Sequence, residues 1–287
     1  MNDATTVPRA RGTAIVTGAT AGIGAAFARQ LGALGYDLVV VARDEPRLAA
    51  IATELTDAHG IRMTVLAADL STEDGCRSIE ARLTDPAAPI DLLVNNAGVT
   101  LNRSFLRTSA ADEARLIGLN ISAVMRLTHA ALPGMVARRG GGIINVSSAS
   151  GFAAVMPGST YPASKAWVRH FSESMGLAVG QFGVRVMALA PGYTRTEFHD
   201  RAGIDMSKTP RWMWLDADDV VRAGLRDFER GRLVSVPDWR YKAAVFAMRH
   251  SPQRLVHRVA SDTRGRIGRD EVDRETAKRA DDGSAEP

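Results

Sequence analysis

Thr17-Gly18-Ala19-Thr20-Ala21-Gly22-Ile23-Gly24 follows the apolar stretch Thr13-Ala14-Ile15-Val16 and runs into Ala25-Ala26-Phe27, so a glycine-rich turn joins a strand to a helix. Gly18 permits a tight turn, Gly22 lets the backbone approach a pyrophosphate, and Gly24 lets helix and strand pack closely. The N-terminus of the helix adds unpaired N–H groups that suit an anion. The spacing is G-x-x-x-G-x-G, not the G-x-G-x-x-G of the commoner dinucleotide turn, and a turn of this kind also serves purely structural ends.

Outward from this turn, short β-branched runs alternate with longer helical ones. The strand-like runs are 13–17, 37–42, 62–67, 91–95, 142–147, 184–190 and 232–236; the helix-length segments are 22–34, 45–59, 72–83, 111–138, 161–181 and 217–230. Near-continuous apolar strands alternating with helices predict an α/β fold: a single-domain, Rossmann-like, doubly wound parallel sheet of about seven strands with helices on both faces. Ligands of such sheets bind at the carboxyl ends of the strands. Residues 1–11 read as a flexible N-terminus, 12–260 as the folded domain with a helical extension at 239–260, and 261–287 as a disordered, charged tail.

The 287 residues are 45% hydrophobic and 24% charged, enough for a sizeable core. Cys76 is the only cysteine, which excludes an internal disulfide and fits a reducing compartment. The six histidines are scattered, with no paired-His helix motif and no Cys-x-x-Cys, so no metal site is expected. Residues 1–12 lack the apolar core of a secretory signal and no apolar run is long enough to span a bilayer, which predicts a cytoplasmic protein. The net charge is +4, but basic residues are interleaved with acidic ones; this reads as a solvated surface and not a nucleic-acid interface.

Tyr161 and Lys165 lie four positions apart in Tyr-Pro-Ala-Ser-Lys and share one helix face. Bringing a phenol about 2 units down from its reference pKa near 10 needs roughly 3 kcal/mol of preference for the phenolate. An ammonium about 4 Å away at an effective dielectric of about 20 supplies on the order of 4 kcal/mol before desolvation. The lysine is therefore expected to lower the tyrosine pKa and make it a general acid or base. The plain alternative is an ordinary amphipathic pair.

Together with that pair, the ordered motifs TGATAGIG at 17–24, Asp69 in Ala-Ala-Asp-Leu, NNAG at 95–98, Asn120 in Leu-Asn-Ile-Ser, Ser148 in Asn-Val-Ser-Ser-Ala-Ser-Gly, YPASK at 161–165 and Pro191-Gly192 with Thr194 and Thr196 are similar to those of the short-chain dehydrogenase/reductase family, compact one-domain type. The resemblance covers about residues 12–236. It implies a catalytic tetrad of Asn120, Ser148, Tyr161 and Lys165. Tyr161 would exchange a proton with the substrate oxygen and Ser148 would hold that oxygen. Lys165 would bind the nicotinamide ribose and lower the tyrosine pKa, and Asn120 would hold a water joining Lys165 to solvent. Ser148 is preferred over Ser147 for its family spacing to Tyr161, and on a strand end the two face opposite ways.

The resemblance also implies a nicotinamide dinucleotide bound by Gly18, Thr20, Gly22, Ile23, Gly24, Asp69, Leu70, Asn96, Ala97, Gly98, Tyr161, Lys165, Pro191, Gly192, Thr194 and Thr196. The alternatives are a buried helix asparagine bonding backbone for Asn120, a strand-terminating cap for Ser148, and a structural turn tying strands together for Asn95-Asn96-Ala97-Gly98. The strand 37–42 ends in Arg43 and not in an acid, so NADP(H) is expected over NAD(H), with Asp44 reading as the cap of the next helix. The segment 193–215 would form a substrate lid carrying Phe198, Ile204, Met206, Trp212, Met213 and Trp214. Tyr193, Phe152, Val155 and Met156 would add pocket walls for an apolar carbonyl or alcohol. Segment 239–260 reads as an amphipathic helical hairpin packed on the domain, or alternatively as a peripheral membrane contact. A homodimer or homotetramer through the long helices is the family's habit. A catalytically silent NADP(H)-sensing protein of the same fold is the competing reading.

Overall fold

A computed structural model describes residues 11–254 other than 102, 104, 155, 157, 205, 208 and 253. The expectations for 1–10, Val155 and 255–287, including the second arm of the C-terminal hairpin and the tail, lie outside the described residues.

Among the described residues there are seven strands: β1 (Thr13–Thr17), β2 (Asp37–Ala42), β3 (Met63–Ala67), β4 (Leu92–Asn95), β5 (Gly141–Val146), β6 (Val184–Leu189) and β7 (Val234–Ser235). They form one parallel sheet in the order β3-β2-β1-β4-β5-β6-β7. The order reverses between β1 and β4, so the crossovers on either side of that pair leave a crevice at its carboxyl end. The helices are α1 (Gly22–Ala33), α2 (Glu45–His59), α3 (Glu73–Thr84), α4 (Ala110–Ile117), α5 (Ala123–Ala137), α6 (Thr160–Val179), the short α7 (Phe198–Arg201), α8 (Ala217–Glu229) and α9 (Trp239–His250).

Two apolar layers sandwich the sheet because successive side chains of a buried strand face opposite ways. Val16, Leu38 and Val40 join Phe27, Leu31 and Leu48 on one face. Ile15, Val39 and Val41 join Ile79, Leu127 and Ile143 on the other. Through this apolar body runs one polar chain: Asn95 Nδ2 donates to Asn145 Oδ1 at 2.8 Å and Asn145 Nδ2 to Ser172 Oγ at 2.9 Å, all three buried. It fastens β4 to its register partner on β5 and both to α6.

The predicted helix 111–138 is not one helix. A π turn at Gly118–Ser122 separates α4 from α5. Its cause is tertiary: the Asn120 side chain is drawn inward to bond both backbone groups of Val99, 2.9 Å each, and Ser164 Oγ at 3.1 Å. The C-terminal helix α9 packs through Val245, Tyr241 and Met248 against Ala149, Ala190 and Val236. Among the described residues no helix is long and apolar enough to cross a membrane.

Asn145→Ala leaves the buried Asn95 amide only its longer bond to Thr128 Oγ1, at 3.4 Å, and takes the donor from Ser172 Oγ, which costs about 2 kcal/mol. Urea unfolding should show that loss; an unchanged midpoint would mean the polar chain carries no net stability.

Candidate active site

The strand ends bring the predicted site residues to one edge of the sheet, starting at the glycine turn after β1. Gly18 and Gly22 have φ of +65° and +53°, the left-handed region that favours glycine. A Cβ on Gly24 would lie 2.1 Å from the Gly18 carbonyl oxygen, so the close packing expected there is real. A Cβ on Gly22 would lie 2.6 Å from Thr196 Cγ2, so the segment after β6 lies over the turn.

Helix α1 starts from extended Ala21 with no side-chain cap and no acid in its first turn. The other helices of eight or more residues that start from extended backbone are capped, by Asp44, Thr72, Ser109, Ser159, Asp216 and Asp238. The first-turn N–H groups of α1 are thus left to an anion. Thr20 and Ile23 are half-buried on the turn, and Ile23 also packs against the core.

Asn96 is chiefly a scaffold residue. Its amide donates to the carbonyls of Thr17 and Gly18, while Thr17 Oγ1 accepts from the N–H groups of Asn96 and Ala97 at 2.9 and 3.0 Å. After β2, Asp44 accepts from Arg47 N as the cap of α2. Arg43 is exposed and 3.9 Å from Asp69. Asp69 accepts from Ser71 N and Oγ and also faces Arg115. Burial works against its charge, but the Ser71 bonds and both cations hold its carboxyl below the usual range. Leu70 is buried in the core beside Ile15 and Cys76.

Ser148, after β5, has extended backbone, so it and Ser147 point apart. Ser147 Oγ is buried and donates to the Lys165 carbonyl at 2.7 Å; Ser148 Oγ accepts from Ser150 N and Oγ and stands beside the Tyr161 phenol, whose charge it favours. Lys165 Nζ lies 5.7 Å from the Tyr161 ring centroid and donates to the Val146 carbonyl at 2.9 Å. A Cβ on Gly98 would touch Asn120 Oδ1 and Lys165 Nζ, at 3.1 and 3.3 Å, so these two groups flank that glycine.

One expectation is corrected here. The Tyr161 pKa is not lowered on balance: in the protein alone burial pushes the phenol up to about 12, against the Ser148 hydroxyl and helped by Tyr193. The amine gives one of its three N–H groups to the Val146 carbonyl, and burial lowers its own pKa to about 8. The Asn120 amide gives both N–H groups to Val99 and Ser164, so its side chain holds the Val99 loop.

The segment after β6 closes the site. Pro191 accepts from Ala149 N, and Thr194 Oγ1 donates to the Gly192 carbonyl. A bridge between Thr194 and Leu215 joins the two legs of the loop. The Phe198 ring faces Tyr161 at 5.8 Å and Tyr193 faces Trp214 at 6.1 Å. Glu197 receives Arg47 through two bonds of 2.9 and 3.0 Å and also Arg201, ties that hold its carboxyl near pKa 2 and anchor the loop to α2. Phe152 turns to the core, with the Arg169 guanidinium 4.6 Å from its ring centre.

Residues 12–206 match the family model for short chain dehydrogenase. The chain belongs to the short-chain dehydrogenase family. The oxidoreductase UcpA of Escherichia coli K12 is 37% identical over 185 residues, 64% of this chain and 70% of that one. A short-chain dehydrogenase from Sphingobium yanoikuyae, solved in complex with NADPH, is 38% identical with a TM-score of 0.78 over 86% of this chain and 95% of its own. A bulky-bulky ketone specific alcohol dehydrogenase from Comamonas testosteroni is 31% identical with a TM-score of 0.74, over 86% and 94%.

Because Lys165 titrates near 8 when folded and near 10.5 when unfolded, the unfolded chain binds the proton more readily between those values. Cofactor-free stability should therefore rise from about pH 8 to 10.5, with the burial penalty fully present below 8. Lys165→Met should melt higher than wild type at pH 7 and lose that rise. A lower melting point for the variant would show that the ammonium is favourably housed.

Proposed function

We propose that this short-chain dehydrogenase is an NADP(H)-dependent oxidoreductase interconverting a carbonyl and an alcohol on an apolar substrate, with Tyr161 as general acid and base. The observation that carries the reading is the half-buried Tyr161 phenol beside Ser148, with Lys165 one helical turn behind it, at the same sheet edge as an uncapped glycine turn.

The residues present fit a dinucleotide. The uncapped start of α1 with Gly18, Thr20 and Ile23 would hold the pyrophosphate, and Asp69 the adenine amino group. Backbone at Asn96, Ala97 and Gly98 would line the crevice, Lys165 would reach ribose hydroxyls, and Pro191, Gly192, Thr194 and Thr196 would meet the nicotinamide end. Arg43 is exposed at the end of β2 while Asp44 is engaged as a cap, which favours a 2′-phosphate over a bare ribose. NADPH in the Sphingobium protein agrees with this choice. When bound, the cofactor supplies or receives the hydride.

Ser148 and Tyr161 hold the substrate oxygen between two hydroxyls, where hydride transfer builds negative charge and their bonds strengthen towards the transition state. A phenol near pKa 12 keeps its proton at neutral pH, so Tyr161 is set to donate Oη–H in carbonyl reduction. The charged Lys165 then stabilises the phenolate left behind, which it can do only below its own pKa of about 8. Asn120 acts by position, holding the Val99 loop against α6. The loop rings of Phe198, Tyr193 and Trp214 offer an apolar lining. Exposed Met125 on α5 and Leu177 on α6 support assembly into a homodimer or homotetramer through those helices.

Tyr161→Phe should cut kcat for NADPH-dependent carbonyl reduction by about a hundredfold or more with NADPH still bound. Binding without turnover in the wild type, across a panel of ketones and aldehydes, would leave a cofactor-sensing protein instead. The wild-type reduction rate should fall as pH rises through about 8, where Lys165 loses its charge; a rate that climbs there would refute the lysine's role. In Arg43→Ala the preference for NADPH over NADH should collapse, and equal preference in both proteins would remove the 2′-phosphate argument.

A further inference from the structure

Tyr241 sits on α9, a helix outside the doubly wound sheet, yet it contacts the loop after β6 at three points. Its ring lies against Gly192 so closely that a Cβ there would be 2.0 Å from Cζ. Its hydroxyl accepts from Tyr193 N at 3.0 Å and donates to the Met213 carbonyl at 2.8 Å. One oxygen thus uses both its acceptor and its donor capacity on the two legs of the same loop.

The legs meet a few residues away, through Leu215 N to the Tyr193 carbonyl at 2.8 Å and Arg195 N to the Leu215 carbonyl at 3.0 Å. Neighbouring Arg240 reinforces the contact by donating to the Trp212 carbonyl while paired with Asp238. The helix itself is anchored, with Val245 buried against Ala149 and Ala190.

We propose that Tyr241 is a positioning residue for the substrate loop, pinning both legs of its base so that Tyr193 and Phe198 are presented to Tyr161 in one arrangement. The C-terminal helix is then part of the substrate site without touching substrate. Tyr193 is the link: its backbone N–H is held by Tyr241 and its ring faces Trp214 on the other leg of the loop. Loops of this kind sit at the low-stability end of a structure, so a fixed base decides how well a bulky substrate is held, while chemistry at Tyr161 and nucleotide binding at α1 are left alone. What the loop encloses rests on the proposed carbonyl–alcohol chemistry; the fastening itself does not.

The test is Tyr241→Phe in the full-length chain, which keeps the ring on Gly192 and removes the one oxygen. With NADPH and a bulky aryl ketone, KM should rise roughly fivefold to tenfold, the size of one lost hydrogen bond. Both kcat and the Kd for NADPH should stay within about twofold of wild type. Amide exchange at Tyr193, Arg195 and Leu215 should quicken while that of Ile15 and Val94 does not. An unchanged KM, or a loss confined to kcat, overturns the proposal. Should the wild type reduce no carbonyl at all, the functional reading fails, and exchange alone decides the fastening: faster stem exchange in the variant supports it and equal exchange refutes it.

Discussion

The hydroxyl of Thr17 holds together the two strands on which the site depends. β1 and β4 are neighbours whose crossovers leave in opposite directions, and the chain must turn away from both at their carboxyl ends. Thr17 Oγ1 takes the N–H groups of Asn96 and Ala97, and the Asn96 amide returns two bonds to the carbonyls of Thr17 and Gly18. This reciprocal exchange lets the crevice stay open above while remaining closed at its floor. Gly24 completes it, since any side chain there would strike the Gly18 carbonyl. The uncapped end of α1 is aimed by that floor.

A second constraint is electrostatic. Lys165 and Tyr161 are both displaced from their ordinary titration by burial, in opposite directions, because burial penalises the charged form of each. At neutral pH the phenol is therefore neutral while the amine, at about 8, still carries its charge. The surroundings suit both: Val146 offers a carbonyl to the ammonium and Ser148 a hydroxyl to the phenol.

Much of the architecture could be read from residues. β1 and β2 have the predicted bounds because β-branched runs there stop at polar residues or glycine, and Asp44 was identifiable as a cap from its place before a helical run. The divergence of Ser147 and Ser148 follows from strand alternation alone. What could not be read came from contacts distant in sequence. The π turn at 118–122 has helical periodicity on both sides and exists because Asn120 reaches Val99, 21 residues back. Spacing put the ammonium beside the phenol but gave no measure of burial, and burial decides the sign of both shifts. Tyr241 carried no motif at all; the one signal was Gly192, whose missing side chain leaves room for a ring 49 residues on.

The loop over the glycine turn is held at two places by different physics. At its outer side, against α2, Glu197 meets Arg47 with both side chains nearly half exposed. At its base, the tie is a half-buried phenol between backbone groups. Dissolved ions screen the first and leave the second almost untouched. Rising ionic strength therefore loosens the outer tie of the loop to α2, while its base keeps its set.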